Sequence, residues 1–195
     1  MAPPHSGRGP CAIYLARAGE PVLASVVTVL TTRRLTLRRL SPDDAEFIVE
    51  LLNDPAFLQF IGDKAVRSAD DARRYILDGP VASYERNGFG LWLVELKYSG
   101  LAVGMCGLLK RETLADVDMG FAFLPAYRSQ GYAFESASAV LDYGRTEFGL
   151  KRIVAITDSE NAGSIRVLQK IGMRFERMIT VSEGAPEIQL LASEI

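Results

Sequence analysis

The sequence predicts an α+β fold in which helices flank a mixed, largely antiparallel sheet. Segments with apolar residues at every second position are interspersed with segments in which apolar residues recur every three or four positions, in the order β-α-α-β-β-β-α-β-α-β-β. Short turns at residues 98–100 and 182–186 join neighbouring strands in the manner of hairpins. A length of 195 residues fits one domain, large enough to bury about 70% of the surface of its unfolded chain.

The first strand and the first helix have clear local patterns. Leu35, Leu37 and Leu40, with polar residues between them, predict a strand at residues 32–40. Ser41-Pro-Asp-Asp44 then supplies an N-cap, a proline at the first helical position and an acid three residues after the cap. The apolar stripe of this helix continues to residue 52, and the Asn-Asp-Pro sequence at 53–55 should end it.

A second helix is predicted to start at Ser68-Ala-Asp-Asp71 and to run to about residue 78. Gly79 and Pro80 should break it, and a short helical continuation is expected up to residue 86. Strands are predicted next at residues 89–96, 102–109 and 117–124.

The last third of the chain alternates helix and strand. A helix is predicted from Gly131 to residue 148, where Gly149 stops it, and a strand follows at 152–157. The next helix should begin near Asn161, and Gly172 lies where a left-handed cap would end it. A final hairpin is predicted from strands at 173–181 and 187–192.

The composition excludes several classes of protein. Hydrophobic residues make up 48% and charged residues 24% of the chain, as in soluble globular proteins. A net charge of −2 and a pI near 5.5 argue against a general nucleic-acid binder. Cys11 and Cys106 have no metal-ligand spacing and cannot form a disulfide framework, so we expect no metal and a cytoplasmic location. The oligomeric state stays open, a homodimer included.

Residues 1–30 are predicted to be a flexible leader, and residues 31–195 a single domain. The first ten residues are rich in Pro, Gly and Ser, and the moderately apolar run after them is interrupted by Arg17, Glu20 and Pro21. That run is too broken for a membrane span, and it lacks the apolar core of a secretory signal. A short docking element is the alternative interpretation.

The turn after the strand at 117–124 has the pattern Arg128-x-x-Gly131-x-Ala133 directly before a helix. Small residues at 131 and 133 let the backbone approach a ligand closely. The unpaired N–H groups at the start of a helix and the helix dipole both favour negative charge. We therefore predict an anion site at this helix start.

Two segments, residues 118–136 and 158–175, together resemble the GNAT superfamily of N-acetyltransferases. Within it they are most similar to the Rim-type branch, which includes the ribosomal-protein N-terminal acetyltransferases. The resemblance begins near Leu30 and covers the rest of the chain. It implies the acyl-CoA N-acyltransferase fold, whose mixed sheet matches the order of elements, and acetyl-CoA as the acetyl donor.

The resemblance also assigns roles to residues. The loop backbone would hold the pyrophosphate of coenzyme A, a main-chain N–H around residues 121–124 would polarise the thioester carbonyl, and Asn161 would bond the pantetheine arm. The implied cofactor-binding residues are Phe121, Phe123, Arg128, Ser129, Gln130, Gly131, Tyr132, Ala133, Asn161 and Ser164. Asn161 and Ser164 are three residues apart, so capping of the helix's first turn is an alternative role for them.

The catalytic groups depart partly from the family pattern. Many relatives carry a tyrosine as general acid seven residues after the asparagine, where this chain has Leu168. The ribosomal-protein branch uses a serine at the Ser164 position as proton donor, which implies that role here. It also implies Glu183, in the final hairpin, as the base that activates the amine, although the hairpin is shorter than in those relatives. Asp116 and Asp118, on one face of their strand, are rival bases.

The expected acceptor is a weakly basic primary amine. An α-amino group with a pKa of about 7.7–8.0 is appreciably neutral at cytoplasmic pH, whereas a lysine with a pKa of about 10.4 is almost entirely protonated. Without a usable histidine or the matching tyrosine, the site suits a protein N-terminal α-amine, or a similar amine, better than lysine.

The sequence therefore predicts an N-acetyltransferase that works by direct attack in a ternary complex, with no nucleic-acid or membrane partner. An aminoglycoside or other small-amine acetyltransferase is the alternative enzyme. A non-catalytic acyl-CoA-binding regulatory module is the alternative of another class. The variable loops at 55–90 and 181–187 would contact the acceptor, and their sequences do not name it.

Overall fold

An eight-stranded mixed sheet forms the centre of the computed structural model, which describes residues 27–182 and 184–194. The strands are β1 (Thr28–Thr31), β2 (Leu35–Arg39), β3 (Leu91–Leu96), β4 (Ala102–Leu109), β5 (Val117–Phe123), β6 (Arg152–Thr157), β7 (Arg174–Ile179) and β8 (Ile188–Glu194). Their order across the sheet is β1-β2-β3-β4-β5-β6-β8-β7, and within the described ranges only β5 and β6 pair in parallel. The predicted α+β fold with a mixed, largely antiparallel sheet is confirmed.

Helices cover both faces of this sheet. They are α1 (Ala45–Leu52), α2 (Pro55–Phe60), α3 (Ala69–Ile76), α4 (Ala82–Asn87), α5 (Tyr132–Phe148) and α6 (Ala162–Lys170). On one face Ile48 of α1 and Ile76 of α3 belong to a buried cluster with Leu93, and on the other Val140 of α5 belongs to a cluster with Trp92. Trp92 and Leu93 are neighbours in β3 and belong to the buried clusters on opposite faces of the sheet, because successive side chains of a strand point to opposite faces. None of the helices in the described ranges is long and apolar enough to cross a membrane.

The start of α1 follows the predicted capping pattern. A 3-10 turn, Pro42–Asp44, leads into the helix, and the N–H of Ser41 donates to Asp44 Oδ2 at 2.8 Å. Asp44 also binds the guanidinium of Arg38 at 2.7 Å, and Arg38 Nε donates to Glu95 at 2.7 Å. Because Arg38 is only 9% exposed, its charge needs these two carboxylates. The three side chains tie α1 to β2 and β3.

The other predicted helix ends also agree with the structure. Ser68 caps α3 by accepting the N–H of Asp71 at 3.2 Å. Gly149 and Gly172 follow α5 and α6 with φ angles of 62° and 90°, the left-handed conformation that commonly ends helices.

Two helical features differ from the sequence prediction. Gly79 and Pro80 do not break the helix, because residues Leu77–Val81 form a π-helical turn that continues from α3 into α4. The wider turn tolerates the missing N–H of Pro80. Helix α2 was not predicted: Asp54 ends α1 and then caps α2, accepting the N–H groups of Ala56 and Phe57 at 3.1 and 3.2 Å.

The N-terminal boundary of the domain is also corrected. Strand β1 begins at Thr28 and pairs with β2, so residues 28–30 belong to the sheet and not to a leader. Val29 and Leu30 pack against the core, which gives this edge strand a reason to be ordered. The remainder of the predicted leader, residues 1–26, lies outside the described residues.

Strands β5 and β6 diverge along their length. Their parallel pairing joins Val117 to Ile153 and Asp118 to Val154, and none of the later residues of β5 pairs with β6. Residues 119–123 of β5 therefore stay bonded to β4 on one side and face a gap on the other. This gap positions the candidate site.

Candidate active site

Main-chain donors of β5 face the gap between β5 and β6. The N–H of Leu124 donates to Val103 O at 3.0 Å, so it points towards β4 and is not available to a ligand. Successive N–H groups of a strand point to opposite sides, which directs those of Phe121 and Phe123 into the gap. Residues 121–124 were predicted to supply the main-chain N–H that polarises the thioester carbonyl. Of these, Phe121 and Phe123 direct their N–H groups into the gap.

The loop at residues 128–133 presents further unpaired donors. Ser129 and Gly131 have positive φ angles of 60° and 81°, which fold the loop tightly before α5. Among the described residues, the N–H groups of Ser129, Gln130 and Gly131 donate no hydrogen bond, and no side chain caps α5. Together with the first turn of a 17-residue helix, they leave main-chain donors free at the place where the sequence predicts an anion site.

The side chain of Arg128 supports the loop from behind. Its Nε donates to Phe123 O at 2.9 Å, and its terminal nitrogen binds the buried carboxylate of Asp54. The guanidinium thus connects the loop to the end of β5 and the start of α2. These two bonds fix the position of the loop backbone.

Arg34, in the turn between β1 and β2, fixes the other side of the loop. Its Nη1 donates to Gln130 O at 3.0 Å, its guanidinium lies 4.5 Å from the ring centre of Tyr132, and its Nε donates to Glu135 at 2.6 Å. Burial by itself would raise the pKa of Glu135, but hydrogen bonds from Thr32 and Arg34 outweigh it and the pKa is lowered. Sequence reasoning did not identify this clamp, because its partners are about a hundred residues apart.

Two cavities meet beneath the gap. The first, of about 450 Å³, extends from the loop along α6, and the second, of about 620 Å³, reaches towards the beginning of β5. Phe121, Asn161 and Ser164 line both cavities. A long ligand in the first cavity and a second ligand in the other would therefore meet at these residues.

The first cavity has cationic residues that sequence reasoning missed. Arg166 and Lys170 of α6 line it, together with Arg128 and the loop. The two residues are four apart and share one face of the helix, so their spacing was a usable but unspecific indication. Their charges suit a phosphate-bearing ligand.

Asn161 and Ser164 combine a capping role with a position in the site. Asn161 Oδ1 accepts the N–H of Ser164 at 3.0 Å, which is the capping interaction considered from the sequence. Both residues nonetheless line both cavities, where the amide and the hydroxyl can meet a ligand. Leu168, at the position of the missing tyrosine, is 2% exposed and lines the second cavity as part of its apolar wall.

Asp118 is an unusual residue of the second cavity. Its side chain is 1% exposed, and its Oδ2 accepts from Arg111 Nε at 2.9 Å. Oδ1 has no hydrogen-bond partner, and no other buried side-chain oxygen or nitrogen in the described ranges shares that condition. Burial raises the pKa of Asp118, although Arg111 opposes the shift. A buried carboxylate oxygen without a partner calls for a ligand.

Of the other two candidate bases, the structure describes only Asp116. Asp116 ion-pairs with Arg152 at 3.0 Å and does not line either cavity, so of the two rival bases on β5 and just before it only Asp118 reaches the cavity. Asp116 precedes β5, and the strand alternation used to predict its direction does not extend to it. Glu183 lies outside the described residues, but the neighbouring Val181 and Ala185 line the second cavity. Its role stays a prediction.

The second cavity also contains a phenol that was not predicted. Tyr75 of α3 lines it, and burial raises the pKa of this hydroxyl, partly opposed by Arg111. Among the described residues, no group of three or more His, Cys, Asp or Glu side chains could hold a metal ion.

Comparisons with known proteins agree with this geometry. Residues 34–174 match the family model of the acetyltransferase (GNAT) domain. The uncharacterized N-acetyltransferase YnaD of Bacillus subtilis is 31% identical over 147 residues, which are 75% of this chain and 83% of YnaD.

Two solved structures show the same fold. The ribosomal-protein-S5-alanine acetyltransferase of Vibrio fischeri has a TM-score of 0.69 and 16% identity, covering 85% of this chain and 95% of that one. The spermidine N-acetyltransferase of Vibrio cholerae, solved with CoA and spermine, has a TM-score of 0.68 and 18% identity, covering 84% of this chain and 96% of that one.

Proposed function

This chain belongs to the GNAT superfamily of N-acetyltransferases, and from that premise we propose that it transfers an acetyl group from acetyl-CoA to a primary amine by direct attack in a ternary complex. The observation that carries the proposal is the meeting of two cavities at Asn161 and Ser164. One cavity has the loop with its unpaired N–H groups at its end, and the other is lined by Asp118, whose Oδ1 has no hydrogen-bond partner. Donor and acceptor can therefore be bound at the same time.

The first cavity suits coenzyme A. When bound, acetyl-CoA supplies a thioester whose carbonyl carbon the amine attacks, with the thiolate as leaving group. The free N–H groups of residues 129–131 and the first turn of α5 would hold the pyrophosphate, and Arg166 and Lys170 add positive charge. The N–H groups of Phe121 and Phe123 are oriented to stabilise the developing oxyanion.

Ser164 is the proposed proton donor. Ser164 lines both cavities where they meet, and we infer that the leaving thiolate forms there. The capping bond uses only its main-chain N–H, so the hydroxyl stays free to donate. This assignment fits the absence of a phenol at Leu168.

Asp118 is the proposed general base. Arg111 holds Oδ2 and favours the ionised carboxylate, while Oδ1 is left to accept a proton from the amine. A carboxylate with a raised pKa is a stronger base than an exposed aspartate, so burial serves this role. Glu183 is retained as the rival base, since the hairpin that carries it adjoins the same cavity.

The structural neighbours act on more than one class of amine. Structural neighbours act on a ribosomal-protein alanine in one case and on spermidine in the other. We infer an α-amine, on a protein N-terminus or a small molecule, because a single buried carboxylate is a modest base and such amines are already partly neutral. A non-catalytic acyl-CoA-binding module is the competing function.

A panel of amines tests the proposal. The purified protein is mixed with acetyl-CoA and peptides, amino acids, amino-acid amides, polyamines or aminoglycosides, and release of free thiol and acetylated product is measured. We expect stoichiometric transfer to at least one α-amine. If the protein binds coenzyme A tightly but transfers no acetyl group to any amine, the result supports the non-catalytic binding module instead of the enzyme.

A further inference from the structure

The second cavity contains two cationic side chains beside its buried carboxylate. Lys64, in the segment between α2 and α3, and Arg111, just after β4, both line it. Arg111 uses Nε for Asp118, and its two terminal nitrogens make no hydrogen bond within the described ranges. Lys64 has no ion pair among the described residues. Three donor groups therefore remain for a ligand.

The two cations influence each other directly. Burial lowers the pKa of Lys64, and repulsion by Arg111 lowers it further. Among the residues that the structure describes, no acidic side chain offsets this repulsion at Lys64. An anion bound between the two cations would relieve it, whereas a polycationic ligand would increase it.

Asp118 pairs with Arg111, and the other acid that the described residues place on this cavity pairs with neither cation. Asp158, at the end of β6, lines the cavity but accepts the N–H of Glu160 at 2.7 Å in its own turn. No salt bridge joins it to Lys64 or Arg111 in the described part of the chain. Lys64 and the terminal nitrogens of Arg111 therefore form a cationic subsite in the cavity that Asp118 also lines.

The rest of the cavity is apolar and of limited size. Its volume of about 620 Å³ suits an amino acid or the first residues of a peptide. Its apolar walls are formed in part by Phe57, Phe60, Ile61, Leu91, Met105 and Leu109. An apolar body of the acceptor would be buried here.

We propose that the acceptor is an amine that carries a carboxylate or similar anionic group a few bonds away, bound by Lys64 and the terminal nitrogens of Arg111 while the amine meets Asp118 Oδ1. This inference rests on the proposed function and specifies its substrate class. The anion can come from the α-carboxylate of a free amino acid or from an acidic side chain near a peptide N-terminus. Spermidine-like polycations fit this cavity poorly.

Matched acceptors test the need for the anion. Leucine, leucinamide and 3-methylbutylamine share one apolar body, and a short peptide beginning Ser-Asp is paired with one beginning Ser-Asn. Loss of the carboxylate makes the amine of leucinamide a weaker base and so more often neutral, which by itself favours the amide. We nevertheless expect leucine or the Ser-Asp peptide to have a kcat/KM at least about tenfold higher than its matched acceptor without the acid. A charge-assisted hydrogen bond allows a difference of this size.

Lys64→Gln then locates the anion subsite. Lys64 is an exposed residue, so the substitution should not disturb the core. We expect it to remove most of the preference for the acidic acceptor, with a much smaller decrease for the amide. Lys151→Gln is the control, because Lys151 is exposed and lines neither cavity. It should leave both rates unchanged.

The outcomes separate the inference from the proposed function. A preference for leucine assigns the anion to a free amino acid, and a preference for the Ser-Asp peptide assigns it to a protein substrate. Equal or faster transfer to spermidine, or to amines without an anionic group, overturns the inference but leaves the proposed acetyltransferase activity in place. If no amine is acetylated, the proposed function fails. Calorimetry with coenzyme A present then decides the inference, since only a true anion subsite binds leucine more tightly than leucinamide.

Discussion

Two aspartates separated by one residue, one just before β5 and one in its second position, have opposite environments. Asp116 is paired with Arg152 outside the site, and Asp118 is 1% exposed with one oxygen unpaired in a cavity. The chemical difference between them comes entirely from their surroundings. At the scale of the residue, this pair offers a direct test of the general base.

Asp118→Asn should lower kcat by about 10²–10⁴, because general base catalysis is lost while the shape of the side chain is kept. The loss should shrink as pH rises, since solvent then deprotonates the amine. The wild-type rate should fall as pH decreases through the raised pKa of Asp118, a higher pH than an exposed aspartate would give. Arg111, Lys64, Tyr75 and Asp158 face the same cavity, and of these four Arg111 lowers the pKa of Asp118 against the effect of burial. Rates measured from about pH 6 to 9 check this expectation.

Asp116→Asn is the matched control and should keep the wild-type rate and pH profile. Stability provides a second check, because a raised pKa means that the ionised carboxylate destabilises the folded state above its ordinary pKa. The asparagine variant should therefore melt no lower than wild type near pH 8. An active Asp118→Asn enzyme combined with a slow Glu183→Gln enzyme would assign the base to Glu183.

Ser164→Ala should lower kcat while the affinity for acetyl-CoA stays within a few-fold, because a proton donor acts only in the transition state. The helix cap survives, since Asn161 binds the main-chain N–H of this residue. Steady-state kinetics and calorimetry measure the two effects separately. Ser159→Ala, at an exposed position just before the helix, is the control. An unchanged kcat would limit Ser164 to packing.

At the scale of the element, the start of α5 depends on distant parts of the chain. Arg34 and Glu135 hold the loop from one side, and Arg128 with Asp54 holds it from the other. The main-chain donors are therefore preorganised for an anion before it binds. Both the glycine of the loop and its clamp can be tested.

Gly131→Val should abolish most of the stabilisation that acetyl-CoA gives. Saturation at about 100 times the dissociation constant is worth about 2.7 kcal/mol in the wild type, a shift of several degrees in melting temperature. Valine at φ 81° is strained, and its Cβ would lie 3.3 Å from Arg34. Gly149→Val is strained in a similar way at φ 62°, with open space around it. It should lower stability without changing the ligand-induced shift. Equal shifts in both variants would contradict the loop assignment.

Glu135→Gln should reduce the free energy of unfolding near pH 7 by about 1 kcal/mol. The pKa of Glu135 is lowered in the folded state, so its contribution is complete above the unfolded pKa of about 4.3 and is lost as pH falls through the lower folded value. Wild type and variant should therefore converge in acid. Urea unfolding at several pH values measures the difference, and Glu147→Gln, exposed near the other end of α5, should show no such trend.

At the scale of the whole molecule, the sheet has a continuously hydrogen-bonded part and a place where two neighbouring strands diverge. Strands β1 to β5 form a continuous antiparallel surface, and the divergence of β6 from β5 opens the site between them. The edge strand β1 is part of this sheet. The main-chain N–H of Arg39, at the end of β2, donates to Val27 O, just before β1, at 2.9 Å. The N-terminal limit of the domain can be located by truncation.

Deletion of residues 1–26 should leave folding and turnover nearly unchanged, because no core pattern precedes β1. Deletion of residues 1–31 should lower the melting temperature, since it removes β1 and exposes the edge of β2, whose Leu35 and Leu37 are fully buried. Thermal melts and activity assays on both truncations compare them. Insoluble protein from the shorter deletion would instead indicate that residues 1–26 are a docking element.

The sequence by itself determined the order of most elements and the place of the anion-binding loop. Capping residues such as Ser41 and Ser68, the glycines that end helices, and the spacing of apolar side chains act over a few neighbouring residues, and such patterns can be recognised in a linear chain. The pattern from Arg128 to Ala133 belongs to the same class. It could be placed before a helix because strand and helix have different periods.

The tertiary structure alone decided which charged groups meet. Arg34 reaches Glu135 across 101 positions of sequence, and the burial of Asp118 with one free oxygen depends on how α3 and β6 pack around β5. The π-helical turn at Pro80 and the pairing of β1 were likewise missed, because tertiary packing overrode the local preference. Side-chain charge is encoded locally, whereas its partner and its exposure to water are set by contacts between distant segments.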